Sequence, residues 1–360
     1  MDPSASSESA HCLDIPLLVG VVGHRDLVHG EMPVVCAAVE RLLRALRDAQ
    51  PAVPIKLLSA QADGADLLVA DVARELGIDI IALLPFSVAQ CRADLGSDAA
   101  RAAFDRTMAR AERLELAPEA ASDGSDLAHR GTARDRQFER TGDLIARQSS
   151  LLIAIWDGLE TGHRAGTARA IERRRGRADA EDAELRAAPD GLFLTADNDL
   201  MYEIRCSRRS NGGAGEAGVR VIGFVTGDTT FGSIDNGIPP ALATLLARTA
   251  DFNRDTSAFR ARIVGQRPLS SATPKPVSGA LLYLDQLFGA ADWLAVHFRR
   301  SFTRALAARF SLWALMAFLL LTFKKSTNDL YSFISIVIVL LVFALGWQLA
   351  LWARHRTRRA

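Results

Sequence analysis

Little in this chain points to disulfides, structural zinc or a nucleic-acid partner. Its 360 residues contain four cysteines, Cys12, Cys36, Cys91 and Cys206, scattered without a CxxC pair or metal-ligand spacing. That pattern excludes a disulfide framework and a zinc site, and it suits a reducing compartment. Net charge is also nearly absent. Lys and Arg number 43 against 42 Asp and Glu, a formal charge of +1, so no global basic field draws the chain to nucleic acid. The opening stretch MDPSASSESAHCLD lacks the basic and apolar regions of a signal peptide and reads as a disordered tail over 1–14. No internal repeat is visible.

What the chain does have is apolar residues, 49% of the total, and their excess is local. FSLWALMAFLLLTF, extended back to Leu306 past Arg309, and YSFISIVIVLLVFALGWQLALW each approach the roughly 20 apolar residues of a membrane-crossing helix. The expectation is a two-helix transmembrane hairpin, with spans at 306–323 and 331–352 joined by a short loop at 324–330. Arg299, Arg300, Arg304 and Arg309 precede it, and Arg354, Arg356, Arg358 and Arg359 follow it in a basic tail, 353–360. The positive-inside rule then puts both termini in the cytoplasm of a multi-pass protein of the cytoplasmic (inner) membrane. Tyr331, Trp347 and Trp352 fall where interfacial rings are expected. Before the first span, 280–305 reads as a juxtamembrane amphipathic helix, and 263–279 (GQRPLSSATPKPVSG and its flanks) as a Pro/Ser linker.

Residues 15–262 alternate two patterns. The runs IPLLVGVVGH, PIKLLSA, IDIIALLPF and SSLLIAIW are continuous and apolar. Between them lie segments of helical spacing: Val35, Val39, Leu42, Leu43 and Leu46 in the first, then GADLLVADVARELG, then about 87–113 and 134–148. Near-continuous apolar strands separated by amphipathic helices predict an α/β fold, a doubly wound and mostly parallel Rossmann-like sheet. MYEIRCSRR and VRVIGFVTG are further strands at one edge. Insertions fall near 114–133 and 176–218.

In such sheets ligands bind beyond the carboxyl ends of the strands, and the residues there are polar or turn-forming. They are Gly23, His24, Arg25 and Asp26 after the first strand, and Asp63, Gly64, Ala65 and Asp66 after the second. Pro85 and Phe86 follow the third; Trp156, Asp157 and Gly158 follow the fourth, with Gly166 and Thr167 opening the next helix. Each has a plain structural reading as a turn glycine, a helix cap or a surface ion pair. Together they suit an anion: a Gly-Thr helix start offers free N–H groups, Arg25 a forked contact, and Asp63 or Asp157 an acceptor for ribose hydroxyls. The run Arg173–Arg175 reads as a solvated helix end or as a neutraliser of polyphosphate.

In order and spacing VVGHRD, SAQADGADLLVADVARELG, LLPF and SSLLIAIWDGLETGHRAGTARAIE resemble the SLOG superfamily over residues 15–235. That Rossmann-like group includes the Lonely-Guy phosphoribohydrolases, DprA-like proteins and the cytoplasmic region of melastatin-type TRP channels. The pattern is most similar to the bacterial version joined to two transmembrane helices, which implies a sensor of a nucleotide-derived signal. Hydrolytic members carry PGGxGTxxE; the corresponding stretch here is GHRAGTARA, with Ala165 for a glycine and Ala170 at the Glu position. Glu172 lies about 200° around the helix from Ala170 and cannot simply substitute.

The resemblance therefore implies binding without an assigned catalytic residue, metal or firm cofactor. Its ligand would be ADP-ribose-like or a cyclic nucleotide, and its other partners the lipid bilayer and further copies of the chain through the membrane helices. Two alternatives stay open. One is a membrane-anchored hydrolase of NAD or nucleoside monophosphates using Glu172 or Asp157. The other is a membrane scaffold with a vestigial site.

Overall fold

The computed structural model describes residues 14–117, 131–159, 166–175, 199–210, 218–227, 229–263 and 279–325, with scattered positions between 337 and 348. The expected tail, most of both insertions, the linker, the hairpin loop and the basic tail lie outside these residues.

Two compact units are present, Pro16–Leu246 and a second formed by Ala247–Ala360 with Met1–Ile15. The first is built on one sheet of eight strands, ordered β4-β3-β2-β1-β5-β6-β7-β8. These are β1 Leu17–Gly23, β2 Ile55–Ser59, β3 Asp79–Leu84, β4 Glu112–Glu115, β5 Leu151–Trp156, β6 Met201–Arg205, β7 Arg220–Thr226 and β8 Thr229–Gly232. Strands β1 to β6 pair in parallel, and β7 and β8 add antiparallel pairs at one edge. The α/β class and the mostly parallel sheet agree with the apolar pattern, since every residue of the central strand β5 is buried.

Helices cover both faces. They are α1 Met32–Ala49, α2 Ala65–Glu75, α3 Val88–Ala93, α4 Asp98–Met108, α5 Thr132–Gln148 and α6 Thr167–Arg174. On one face Val22, Leu58 and Leu83 pack against Ile145, Ala168 and Ile171 of α5 and α6. On the other, Ala82 and Leu84 pack against Leu67 and Phe104. Alternate strand residues thus feed opposite layers. In α1 the buried set includes Val35, Val39, Leu42, Leu43 and Leu46, the spacing read from the sequence.

Three elements differ from expectation. The stretch 87–113 is not continuous helix: α3 and α4 separate at Leu95-Gly96-Ser97, and the Ser97 hydroxyl caps α4 by accepting from the Ala100 N–H at 3.1 Å. Strand β4, whose side chains are all exposed, follows α4 and pairs with β3. An edge strand that buries nothing leaves no apolar alternation to read. Strand β8 is likewise a short hairpin return.

The second unit contains α7 Pro240–Ala258 beyond Leu246, α8 Arg260–Ile263 and α9 Gly279–Lys325. Ile263 packs with Ala290 and Leu294, beside Phe252, Phe259 and Trp293. The side chain of Asn253 pins the backbone of Ile15, accepting from its N–H at 2.8 Å and donating to its carbonyl at 3.1 Å.

The expected membrane hairpin, and with it the placement as a multi-pass protein of the cytoplasmic membrane, is corrected here. Among the described residues no helix is long and apolar enough to cross a membrane. Segments 280–305 and 306–323 are parts of one helix, α9, and Arg309 interrupts its apolar run. The uncharged part, Phe310–Phe323, spans only about 21 Å at 1.5 Å per residue, short of a hydrocarbon core of roughly 30 Å. The expected span at 331–352 lies largely outside the described residues.

One position in the first unit cannot carry a side chain. Gly64, the residue before α2, has φ +78°, and a Cβ there would stand 2.5 Å from the carbonyl oxygens of His24 and Arg25. Gly64→Ala is expected to lower stability by about 3 kcal/mol or more, read as a fall in thermal midpoint and in the denaturant midpoint at unchanged slope.

Candidate ligand cleft at the strand exits

Strand order reverses between β1 and β5, so the loops leaving them diverge and open a crevice at their carboxyl ends. Backbone bonds fix that edge: the His24 N–H donates to the Ile155 carbonyl at 3.0 Å, and the His24 carbonyl accepts from the Ala65 N–H at 3.1 Å. Gly23 permits the approach, since a Cβ there would collide with Ala65. Next to it lies a cavity of about 110 Å³ between the β1 exit, α5 and α6.

The structure divides the fifteen expected site residues into two sets. Gly23, Arg25, Asp66, Gly166 and Thr167 line the cavity. The others sit near it with different work to do. Gly64 and Ala65 make the tight turn and the packed start of α2. Asp63 holds loops together, accepting from the N–H of Gly64 at 2.9 Å and of Gly96 at 3.3 Å. The Pro85 carbonyl accepts from the Gln137 amide at 3.0 Å, and Phe86 is buried edge-on to Phe138, ring centres 5.1 Å apart. Trp156 is core, its indole N–H donating to Glu203 at 3.0 Å. Gly158 packs against the Arg205 side chain.

His24 and Asp157 form a pair, Nε2 to Oδ1 at 3.1 Å, with both side chains nearly buried. The Asp157 carboxylate also accepts from the Leu159 N–H at 3.1 Å. Burial lowers the His24 pKa, against the Asp157 bond that raises it, so the ring is neutral at pH 7 and its Nε2 carries the proton given to Asp157. Asp26 clamps the loop after β6, accepting from Arg208 at 3.0 Å and from the Ser210 N–H at 3.2 Å. Burial opposes its charge, but the Ser210 and Arg208 donors prevail and hold its pKa at about 2. Asp26 and His24 therefore steady the rim.

Inside the cleft, no described side chain caps Gly166, and no described atom lies within 4 Å of where its Cβ would stand. Gly166 and Thr167 both line the cavity, and a helix start without a cap has N–H groups that suit an anion. The Arg25 guanidinium lies over the Phe138 ring, 4.4 Å from its centre, and no carboxylate pairs with it among the described residues. Asp66 lines the same cavity, where the charge of Arg25 acts on it without a direct bond. It is buried in the first turn of α2, accepts from the Ala62 N–H at 3.3 Å, and burial pushes its pKa up to about 7.

Sequence reasoning missed the contribution of α5. Phe138, Glu139, Thr141 and Asp143 line the cavity, together with Arg169 and Arg173 from α6. It also misjudged Arg173–Arg175, none of which is a solvated end. Arg173 is held by Asp143 and Glu139. Arg174 donates to the carbonyls of Ala146, Ser150 and Leu200. Arg175 pairs with Glu203 at 3.0 Å. The signal available was an arginine repeat beside the carboxylates of FERTGD, but helix spacing alone does not say which faces meet. Glu172, a candidate acid–base group, pairs instead with Arg169 at 3.4 Å and does not line the cavity, whereas Ala170 does.

Strand order and cleft together define a Rossmann-like α/β unit with a crevice at its switch point. No family model and no curated protein matches the chain. Among solved structures, DNA processing protein A (DprA) from Streptococcus pneumoniae is similar at 18% identity and a TM-score of 0.30, over 45% of this chain and 47% of that one. The match spans about half of either chain and adds nothing to what the strand order already shows.

The raised pKa of Asp66 has a sign. In the folded state it keeps its proton up to about pH 7, while the unfolded carboxyl loses it near 3.8. Stability therefore falls as pH rises from about 4 to about 7 and levels off above, a difference on the order of 4 kcal/mol. Asp66→Asn is expected to remove this slope: its melting temperature should exceed that of the parent by several degrees at pH 8 and converge with it near pH 4.

Proposed function

We propose that the Pro16–Leu246 unit binds a nucleotide-derived anion in this cleft and holds it without cleaving it. The observation that carries the reading is a cation and an open helix start in one crevice: Arg25, with no acidic partner among the described residues, and the uncapped Gly166–Thr167 end of α6. A guanidinium and free amides suit a phosphate better than any neutral group. The crevice lies at the switch point where doubly wound sheets hold nucleotides. The resemblance to the SLOG superfamily supports the same ligand class.

Binding is favoured over N-glycosidic cleavage because Ala170, at the position of the hydrolytic glutamate, offers no proton donor, and Glu172 is turned to Arg169. General acid–base assistance contributes about 10²–10⁴-fold, so its loss removes turnover while leaving anion contacts intact.

Titration calorimetry of the full chain with ADP-ribose, AMP, cyclic AMP and NAD tests the reading. Heat is expected with at least one of them. Arg25→Ala should weaken that binding about tenfold or more, and Gly166→Asp should abolish it by placing a carboxylate at the amides. Absence of heat with all four overturns the proposal. Chromatography of the incubated ligand should return it unchanged, and a released free base would favour the hydrolase instead.

A further inference from the structure

Strand β4 closes one end of the sheet, pairing with β3 on one side and with no described strand on the other. All four of its side chains are exposed, although strands of parallel sheets are ordinarily covered on both faces. Such an edge presents main-chain donors and acceptors to any strand that can pair with it. The ladder with β3 fixes which residues offer them. The Leu116 N–H donates to the Leu84 carbonyl at 2.9 Å, and bonding direction alternates along a strand, so Leu114 and Glu112 also turn their main chain toward β3. Arg113 and Glu115 turn theirs outward. Leu116 and Ala117, which follow β4, are tied to α5 and not to that edge. The Gln137 amide donates to their carbonyls at 3.1 and 3.4 Å, and Arg140 donates to that of Ala117 at 3.2 Å.

The occupant that fits the edge is a second copy of this chain. Outward groups must meet outward groups, so an antiparallel two-fold pair that engages Arg113 and Glu115 is centred on 113, 114 or 115. Centred on 113 it sets Arg113 against Arg113, and on 115 Glu115 against Glu115; both repel. Centred on 114 it sets Arg113 of each copy against Glu115 of the other, in pairs that exchange both main-chain bonds and share one face of the sheet. The two Leu114 side chains, each 47% exposed, then meet at the centre as a non-hydrogen-bonded pair, where side chains stand closest. Charge on an edge strand commonly keeps other strands away. Here it repels in two registers and attracts in the third. Glu112 does not compete, because it already pairs with Lys56 at 3.6 Å. Glu115 accepts from the Val88 N–H through Oε1 at 3.3 Å, which leaves Oε2 for the partner's Arg113.

We infer that two copies of this chain pair antiparallel through their β4 edges, in the register that sets Arg113 against Glu115, and join two eight-stranded sheets into one. Strands β3 and β2 separate this edge from the β1 exit, and the inference does not rest on the ligand reading.

Sedimentation equilibrium of the full chain over a micromolar to submillimolar series tests it, with amide hydrogen exchange followed at both ends of the series. A monomer–dimer equilibrium is expected. The Arg113 and Glu115 amides should exchange freely in the monomer and slow in the dimer, whereas those of Leu114 and Leu116 are protected in both. Arg113→Glu and Glu115→Arg should each weaken self-association about tenfold or more. Mixed together, the two variants should dimerise with each other, because every cross-strand pair is then again of opposite sign. A monomer throughout, the result if residues 118–130 of the same chain take the edge, overturns the inference. So does a dimer whose Arg113 and Glu115 amides stay unprotected, or one whose affinity neither variant changes. A mixture of folded variants that fails to dimerise also overturns it, through the register. The exchange measurement needs no variant, so a misfolded variant does not rescue the inference.

Discussion

The architecture of the cleft depends on one residue's backbone. His24 gives its N–H to the β5 exit and its carbonyl to the start of α2, so three loops from three strands meet within a few ångströms. Parallel strands cannot share a tight hairpin, and their exits are otherwise independent. Here the pairing of β1 with β5 and the glycines at 23 and 64 let main chain stand where side chains would separate the loops. The pairing of His24 with Asp157 and the clamp of Asp26 on Arg208 hold that junction from outside.

Charge in this unit is arranged as local cancellation. The formal balance of the whole chain says nothing of it. Arg173, Arg174 and Arg175 are consecutive, yet one meets two carboxylates of α5, one meets three carbonyls, and one meets a buried glutamate of β6. Arg25, stacked on an aromatic face and without a carboxylate among the described residues, stands apart from that pattern. Arg25 and the start of α6 line one crevice with Asp66, whose carboxyl, with a pKa lifted to about 7, offsets the Arg25 charge least when protonated.

The parts of the fold legible in the sequence were those with a strong period. Fully buried strands announced themselves as VVG, LLS, ALL and LIAIW, and α1 by its spaced valines and leucines. What escaped were elements that bury nothing, such as Glu112–Glu115, and the break at Gly96, which helical spacing bridges without a gap. The apolar segment near 310–323 misled for a different reason: composition counts apolar residues, whereas crossing a bilayer depends on the length between charges, and Arg309 shortens it. In the cleft, the residues that directly follow strands were legible because topology delivers them to one edge. Asp143, Glu139 and Arg173 were not. They reach the cavity from the flanks of two helices, and which flank faces inward is set by packing of α5 on α6.

Arg174 gives that packing a mechanical meaning. By binding carbonyls at the end of α5, ahead of β5 and ahead of β6, it bolts the far end of α6 to three backbone segments at once. The near end, by contrast, lines the crevice, and no described side chain caps it. Such a helix is a post fixed at its far end, so the backbone that reaches the crevice has its direction set before anything enters.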